Sequence, residues 1–162
     1  MAEFNLRAAT VEDCPAILGL IRDLAAYERL SAAVRATEAD LQQTLFGPHP
    51  AAEVLLAERP DAGVVGFALF FPNYSTFLGK AGIWLEDLFV QPQCRGMGIG
   101  KALFQTVARL AQERGCGRME WSVLDWNKPA IDFYRSMGAH AQDDWTTWRL
   151  SGTGLAALAS RR

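Results

Sequence analysis

Apolar residues recur along the chain with two periods, and each change of period marks an element. Phe4 to Ala8 reads as a short first strand. Thr10-Val11-Glu12-Asp13 has the form of a capping box, and Cys14, Ile17, Leu18, Ile21, Leu24 and Ala25 follow at helical spacing, ending near Tyr27-Glu28-Arg29. Thr37-Glu38-Ala39-Asp40 opens a shorter helix through Leu45, stopped by Gly47-Pro48. Glu53 to Arg59 and Val64 to Phe71 read as strands of a hairpin turning at Pro60-Asp61-Ala62-Gly63, and Asn73 to Gly79 reads as loop. The run Ile83 to Val90 is a further strand. After it come glycines at 96, 98 and 100, then a helical run from Lys101 to Arg114. Arg118 to Leu124 is another apolar strand. Asn127-Lys128-Pro129 starts a helix that carries Ile131, Phe133 and Tyr134 and stops at Gly138. Trp145 to Leu150 reads as a last strand, and the alanine-rich end as a short helix or a frayed tail. The order β-α-α-β-β-β-α-β-α-β predicts an α/β fold, a mixed sheet covered by helices. No repeat or linker divides it, so residues 1–162 read as one domain.

Composition narrows the function classes. Half of the 162 residues are hydrophobic and 21% are charged, ordinary for a globular protein. A net charge of −2, with no Lys/Arg cluster beyond Arg161-Arg162, gives no case for nucleic acid. No apolar run approaches the roughly 18 residues that a membrane span needs. Met1-Ala2-Glu3-Phe4-Asn5 lacks the basic and apolar regions of a signal peptide. Cys14, Cys94 and Cys116 are odd in number and far apart, with only His49 and His140 beside them. That usage predicts a reducing cytoplasm and no metal site.

The richest local signal is Arg95-Gly96-Met97-Gly98-Ile99-Gly100-Lys101, between an apolar strand and a helix. Helix N-termini carry about half a positive charge and several unpaired N–H groups, so glycines there suit a phosphate or pyrophosphate. Arg95 places a planar cation at the mouth of this turn. A P-loop would need glycine at Arg95 and Ser or Thr at Ala102, and so is excluded. A dinucleotide fingerprint would need glycine at Lys101 or at Leu103. Two readings remain: Arg-x-x-Gly-x-Gly as an anion-binding loop, or a glycine-rich turn that binds nothing.

Glu86 and Asp87 interrupt the otherwise apolar strand Ile83 to Val90. A buried carboxylate is costly unless it is paired or faces a cavity. These acids either end a strand in water or face a ligand crevice beside the glycine loop. Alternation along the strand predicts opposite faces, and so different duties, for the two. Tyr134 is either a core tyrosine or a proton donor of ordinary pKa about 10. Tyr27-Glu28 and Asp143-Asp144, with Trp145 and Trp148, are surface features taken alone. Together with Glu86 and Asp87 they form an acidic, aromatic wall for a cationic amine. The wall would then comprise Tyr27, Glu28, Glu86, Asp87, Asp144 and Trp148.

The glycine loop resembles the acetyl-CoA pyrophosphate loop of the GNAT N-acetyltransferase superfamily. Nearly the whole chain is similar to its spermidine/spermine (diamine) acetyltransferase branch. Arg7-Ala8-Ala9-Thr10, Tyr27-Glu28, Phe46-Gly47-Pro48-His49-Pro50, Val65-Gly66-Phe67-Ala68, Leu85-Glu86-Asp87, Arg95 to Gly100, Trp126-Asn127 and Phe133-Tyr134 carry that resemblance. It implies a single-domain fold with a mostly antiparallel sheet of about six or seven strands and about four flanking helices. It also implies a homodimer, acetyl-CoA as cosubstrate, Glu86 as general base and Tyr134 as general acid. Implied cofactor contacts fall on the backbone of Leu88, Phe89 and Val90, on Arg95, Gly96, Met97, Gly98, Ile99, Gly100 and Lys101, and on Asn127. Polyamine-acetylating members carry an Asp and a Trp in the loop before the Glu-Asp strand, where this chain has Tyr74-Ser75-Thr76-Phe77. That stretch, Leu30-Ser31 and Val123-Leu124-Asp125-Trp126-Asn127 are more similar to thialysine acetyltransferases. The acceptor implied is a small lysine-like amine, with a polyamine as the alternative. From another class, a CoA-binding sensor without turnover would keep the loop but has no use for Glu86 and Tyr134.

Overall fold

The computed structural model describes residues 3–161, which divide into two compact units, one ending at Ser122 and one beginning at Val123. The first unit holds β1 (Asn5–Ala8), α1 (Cys14–Tyr27), α2 (Glu38–Phe46), β2 (Glu53–Arg59), β3 (Gly63–Ser75), β4 (Lys80–Val90), α3 (Ile99–Glu113) and β5 (Met119–Glu120). Its strands form one sheet in the order β1-β2-β3-β4-β5. Three pairings are antiparallel, and β4 with β5 is parallel across the α3 crossover. The expectation of six or seven strands therefore gives way to five.

Local chemistry sets these elements. Asp13 accepts from the Thr10 N–H at 2.8 Å and also holds Arg7, at 2.7 Å, so the entry to α1 is tied to β1. Thr37 and Asp40 form the expected capping box at α2. Cys14, Ile17, Leu18 and Leu20 of α1 join Leu41 and Leu45 of α2 over Leu56, Phe67 and Phe89 of the sheet. Each such side chain contributes about 1.5–3 kcal/mol on burial. On the other face, α3 buries Ile99, Leu103, Phe104, Val107 and Ala111. Its C-cap residue, Arg114, reaches to 6.0 Å from the Phe70 ring centroid.

The segment from Asn73, expected as loop, is strand as far as Ser75. Pro72 does not stop it because β2 ends at Glu53, opposite Phe70. Beyond that pair one edge of β3 has no strand neighbour among the described residues, so a missing N–H there breaks no ladder bond. The strand expected over Arg118 to Leu124 contracts to Met119–Glu120, paired with Ile83 and Trp84. β4 accordingly has no strand on its outer edge from Leu85 to Val90 among the described residues.

The second unit contains α4 (Lys128–Ser136) and α5 (Gly152–Ala159). With α5 formed, the described residues hold five α-helices where about four were expected. The strand expected over Trp145 to Leu150 does not form: every residue there is exposed and none has a ladder partner among the described residues. An isolated extended segment has nothing to satisfy its backbone but water.

Candidate active site

The register between β3 and β4 passes from Leu69↔Asp87 to Phe70↔Leu85, so Glu86 is the extra residue of a β-bulge. Cross-strand partners share a face. Asp87 faces with Leu69 and Trp84 with Phe71, which puts both on one side of the sheet. Trp84 Nε1 donates to Glu86 Oε2 at 2.8 Å, bringing Glu86 to that same side. The bulge thus overturns the expectation that Glu86 and Asp87 point to opposite faces. Trp84, two residues before Glu86, was recognisable as its same-face neighbour from strand period alone, yet only the structure identifies it as a donor.

Glu86 is exposed and Asp87 half-buried. Burial first, then the charges of Glu86 and Glu28, push the Asp87 carboxyl up to about 7. Burial also raises the Glu28 carboxyl. Three carboxyls therefore gather at the end of α1 and the bulge of β4, electrostatically frustrated without a cation. A site so arranged attracts an ammonium group.

The glycine loop follows β4. Gly96 and Gly98 have φ of +77° and +82°, the left-handed region that other residues enter only with strain. A Cβ at Gly100 would meet only Val90 Cγ2, at 3.7 Å, so packing within the protein does not require glycine there. Gly98 caps α3, and the first amide to find a helical acceptor is that of Ala102, bonded to Gly98 O at 3.0 Å. Helical geometry leaves the N–H groups of Ile99, Gly100 and Lys101 ahead of it without intrahelical acceptors. Bare glycine backbone with unpaired donors fits a pyrophosphate.

Beside the loop, Arg59 Nη1 lies 3.0 Å from Met97 Sδ, and Nη2 pairs with Asp61 at 2.7 Å. Nothing in the apolar periodicity singles out this support. Arg95 is exposed but folds back on its own unit: Nε donates to Val90 O at 3.0 Å, and Cζ stands 4.6 Å over the Tyr27 ring. Glu120 of β5 pairs with Arg118 at 2.8 Å.

Tyr27, Glu28, Glu86, Asp87, Leu88 to Val90 and Arg95 to Lys101 all belong to the first unit. Asn127, Tyr134, Asp144 and Trp148 belong to the second. There Asn127 caps α4, its side chain accepting from the Ala130 N–H at 3.4 Å. Tyr134 is half-buried, its ring 5.3 Å from that of Phe133. Asp144 is exposed and Trp148 is 91% exposed. Among the described residues no cluster of three His, Cys, Asp or Glu could hold a metal, and no helix is long and apolar enough to cross a membrane.

The site is thus a bulged strand with an open edge, leading through a glycine turn into a helix. The profile of the acetyltransferase (GNAT) family matches residues 20–139, and the chain belongs to that family. It is an acetyl-CoA-dependent amine N-acetyltransferase. It is 40% identical to thialysine N-epsilon-acetyltransferase of Bos taurus, over 99% of this chain and 100% of that protein. L-ornithine N5-acetyltransferase NATA1 of Arabidopsis thaliana is 36% identical over 95% of this chain and 87% of its own. Among solved structures, an integron cassette protein from the mobile metagenome of V. cholerae superposes with a TM-score of 0.82 at 28% identity, covering 99% of each chain. An aminoglycoside acetyltransferase from an uncultured soil metagenomic sample shares the fold, with a TM-score of 0.76 at 22% identity over 91% of this chain and 97% of its own.

Proposed function

We propose that this enzyme acetylates the side-chain amine of a small lysine-like amino acid, thialysine being the favoured acceptor, by direct transfer in a ternary complex. The observation that carries the reading is the bulge at Glu86. It puts two carboxylates on one face of β4, a few residues ahead of the glycine loop and within electrostatic reach of Glu28.

An alkylammonium of pKa about 10 must lose a proton before it can attack, at a cost of about 4 kcal/mol at pH 7. In this reading Glu86, directly or through water, accepts that proton. Glu28 and Asp87, with Tyr27, hold the cation. Acetyl-CoA supplies the activated acetyl group; the amides of Gly96 to Lys101 hold its pyrophosphate, with Asn127 as a further contact. The open edge of β4 offers amides near Leu88 that polarise the thioester oxygen. Tyr134 gives a proton to the departing thiolate. Most of the acceleration comes from holding two substrates together.

The relatives named for thialysine and ornithine both act on short amino acids, which supports a compact acceptor. A spermidine/spermine N(1)-acetyltransferase-like protein of Homo sapiens, 34% identical over 98% of this chain and 24% of its own length, supports a polyamine instead. Against that alternative, Tyr74-Ser75-Thr76-Phe77 carries no acid to meet a second ammonium. The reading includes one domain over residues 1–162, since the family match crosses the boundary at Ser122. It also includes a homodimer, supported by Trp145 and Trp148, 80% and 91% exposed. A cytoplasmic location is supported by three free cysteines.

Acetyl-CoA-dependent thiol release should be measured with thialysine, lysine, ornithine, spermidine and spermine. Preference for thialysine, and a fall in kcat of about a hundredfold or more in Tyr134→Phe, is the expected result. Preference for spermidine overturns the acceptor assignment, and full turnover by Tyr134→Phe overturns the proton donor.

A further inference from the structure

Arg95 opens the glycine loop, where a cation reads at first as a phosphate ligand. Its side chain is engaged elsewhere. Nε donates to the carbonyl of Val90, the last residue of β4, at 3.0 Å. Cζ stands 4.6 Å above the ring centroid of Tyr27, the last residue of α1, and 5.5 Å from that of Phe89. Although the residue is exposed, its Nε–carbonyl bond and its place over the ring orient the guanidinium toward α1 and β4. One side chain thereby joins the end of α1, the end of β4 and the start of the loop, all within the first unit. Tyr27 leads directly into Glu28, whose charge is felt at Asp87.

We infer that Arg95 is a positioning residue: it fixes the end of α1, with Tyr27 and Glu28, against the glycine loop, and it does not ligate phosphate. This rests on the functional reading above, in which the loop serves acetyl-CoA and the acidic wall serves the amine. Amine recognition then depends on Arg95 far more than CoA affinity does. Lysine cannot replace it, because lysine keeps the charge but has neither the flat face nor the Nε donor.

The test combines CoA titration calorimetry with steady-state kinetics, the preferred amine being varied at saturating acetyl-CoA. Arg95→Gln and Arg95→Lys should each raise the KM for the amine by about tenfold, the size expected for losing a stacked, charge-assisted contact, while the CoA Kd moves by less than about threefold. Tyr27→Leu should raise the same KM, and the double variant Arg95→Gln/Tyr27→Leu should be no worse than the poorer single one, as for two halves of one contact. A CoA Kd that rises about tenfold in Arg95→Gln and recovers in Arg95→Lys overturns the inference, because a point charge would then suffice. Additive KM effects in the double variant also overturn it. Absence of CoA binding in the unsubstituted protein overturns the functional reading itself, and appears before any substitution is made.

Discussion

In the unit that ends at Ser122, Ile17, Leu56, Phe67 and Leu103 are wholly buried; in the unit that begins at Val123, every described residue from 141 onward is exposed. Both units carry ample apolar side chains. The first closes them between a five-stranded sheet and three helices. The second leaves Trp145, Trp148, Leu150, Leu155 and Leu158 in water. Burial is therefore spread unevenly along the chain: the first unit closes a core between its sheet and helices, whereas the second presents apolar surface of the kind another protein surface covers.

The largest effect that would break this contrast is in the cores. Leu103→Ala, at a fully buried position on α3, should cost about 3 kcal/mol, from lost transfer energy plus the cavity left behind. Leu155→Ala on α5, where the side chain is 54% exposed, should cost less than about 0.5 kcal/mol. Urea unfolding at low protein concentration reads both, and equal losses would show that the second unit has a core of its own. At higher concentration Trp145→Ser/Trp148→Ser sharpens the same contrast. In the proposed homodimer each tryptophan is an interface anchor of about 2 kcal/mol, so sedimentation should show dissociation with no change in monomer stability. A variant that dimerises as before would place the interface elsewhere.

The difference between the units also explains what the sequence made legible. The helices of the first unit follow from capping boxes and a 3.6-residue apolar repeat, and the glycine loop from its own residues, because those signals are local. The bulge at Glu86 has no such signal. A strand with apolar residues on both faces, such as Ile83-Trp84-Leu85, shows no polar-apolar alternation in its sequence whose phase a bulge could visibly shift. Strand pairing together with the Trp84–Glu86 hydrogen bond reveals that Asp87 and Glu86 share a side. Trp145 to Leu150 fails as a strand for the opposite reason: its residues have the right composition, but a strand exists only against a neighbour. Of the candidate site, the acids, the loop and Tyr134 were readable as residues. The engagement of Arg95 and the donor at Trp84 belong to tertiary geometry.

Within the first unit the frustrated carboxyls give a pH test. Asp87 is raised to about 7 in the folded protein, against roughly 3.9 in an unfolded chain. Between those values the folded state holds a proton that the unfolded state has lost. Stability therefore declines as pH rises from about 4 to about 7, and is level above that. Asp87→Asn should remove the decline, gaining about 2 kcal/mol at pH 8 after discounting for partial exposure, and nothing near pH 4. Denaturant melts at both pH values check it, and a gain that is equal at the two would mean that packing, not charge, sets the effect.

The smallest expected difference lies between two surface ion pairs, one in each unit. In the first, Arg114 grips Glu53 with two nitrogens, at 2.6 and 2.8 Å, tying the end of α3 to the start of β2. In the second, Lys128 meets Asp132 one turn along α4, both of them exposed. The forked geometry fixes two separate elements, and the hydrogen-bonded Arg114 guanidinium holds the Glu53 carboxyl below its ordinary range, against the burial that raises it. The helical pair orders only its own turn. Glu53→Gln should thus cost about 0.5–1 kcal/mol and Asp132→Asn about 0.3 kcal/mol, both measured by urea unfolding in low salt. Added salt should erase the second loss before the first, because a bidentate contact keeps its hydrogen bonds when its charges are screened. Equal losses with equal salt dependence would mean that the fork at Arg114 does no more for the first unit than a single turn of helix does for the second.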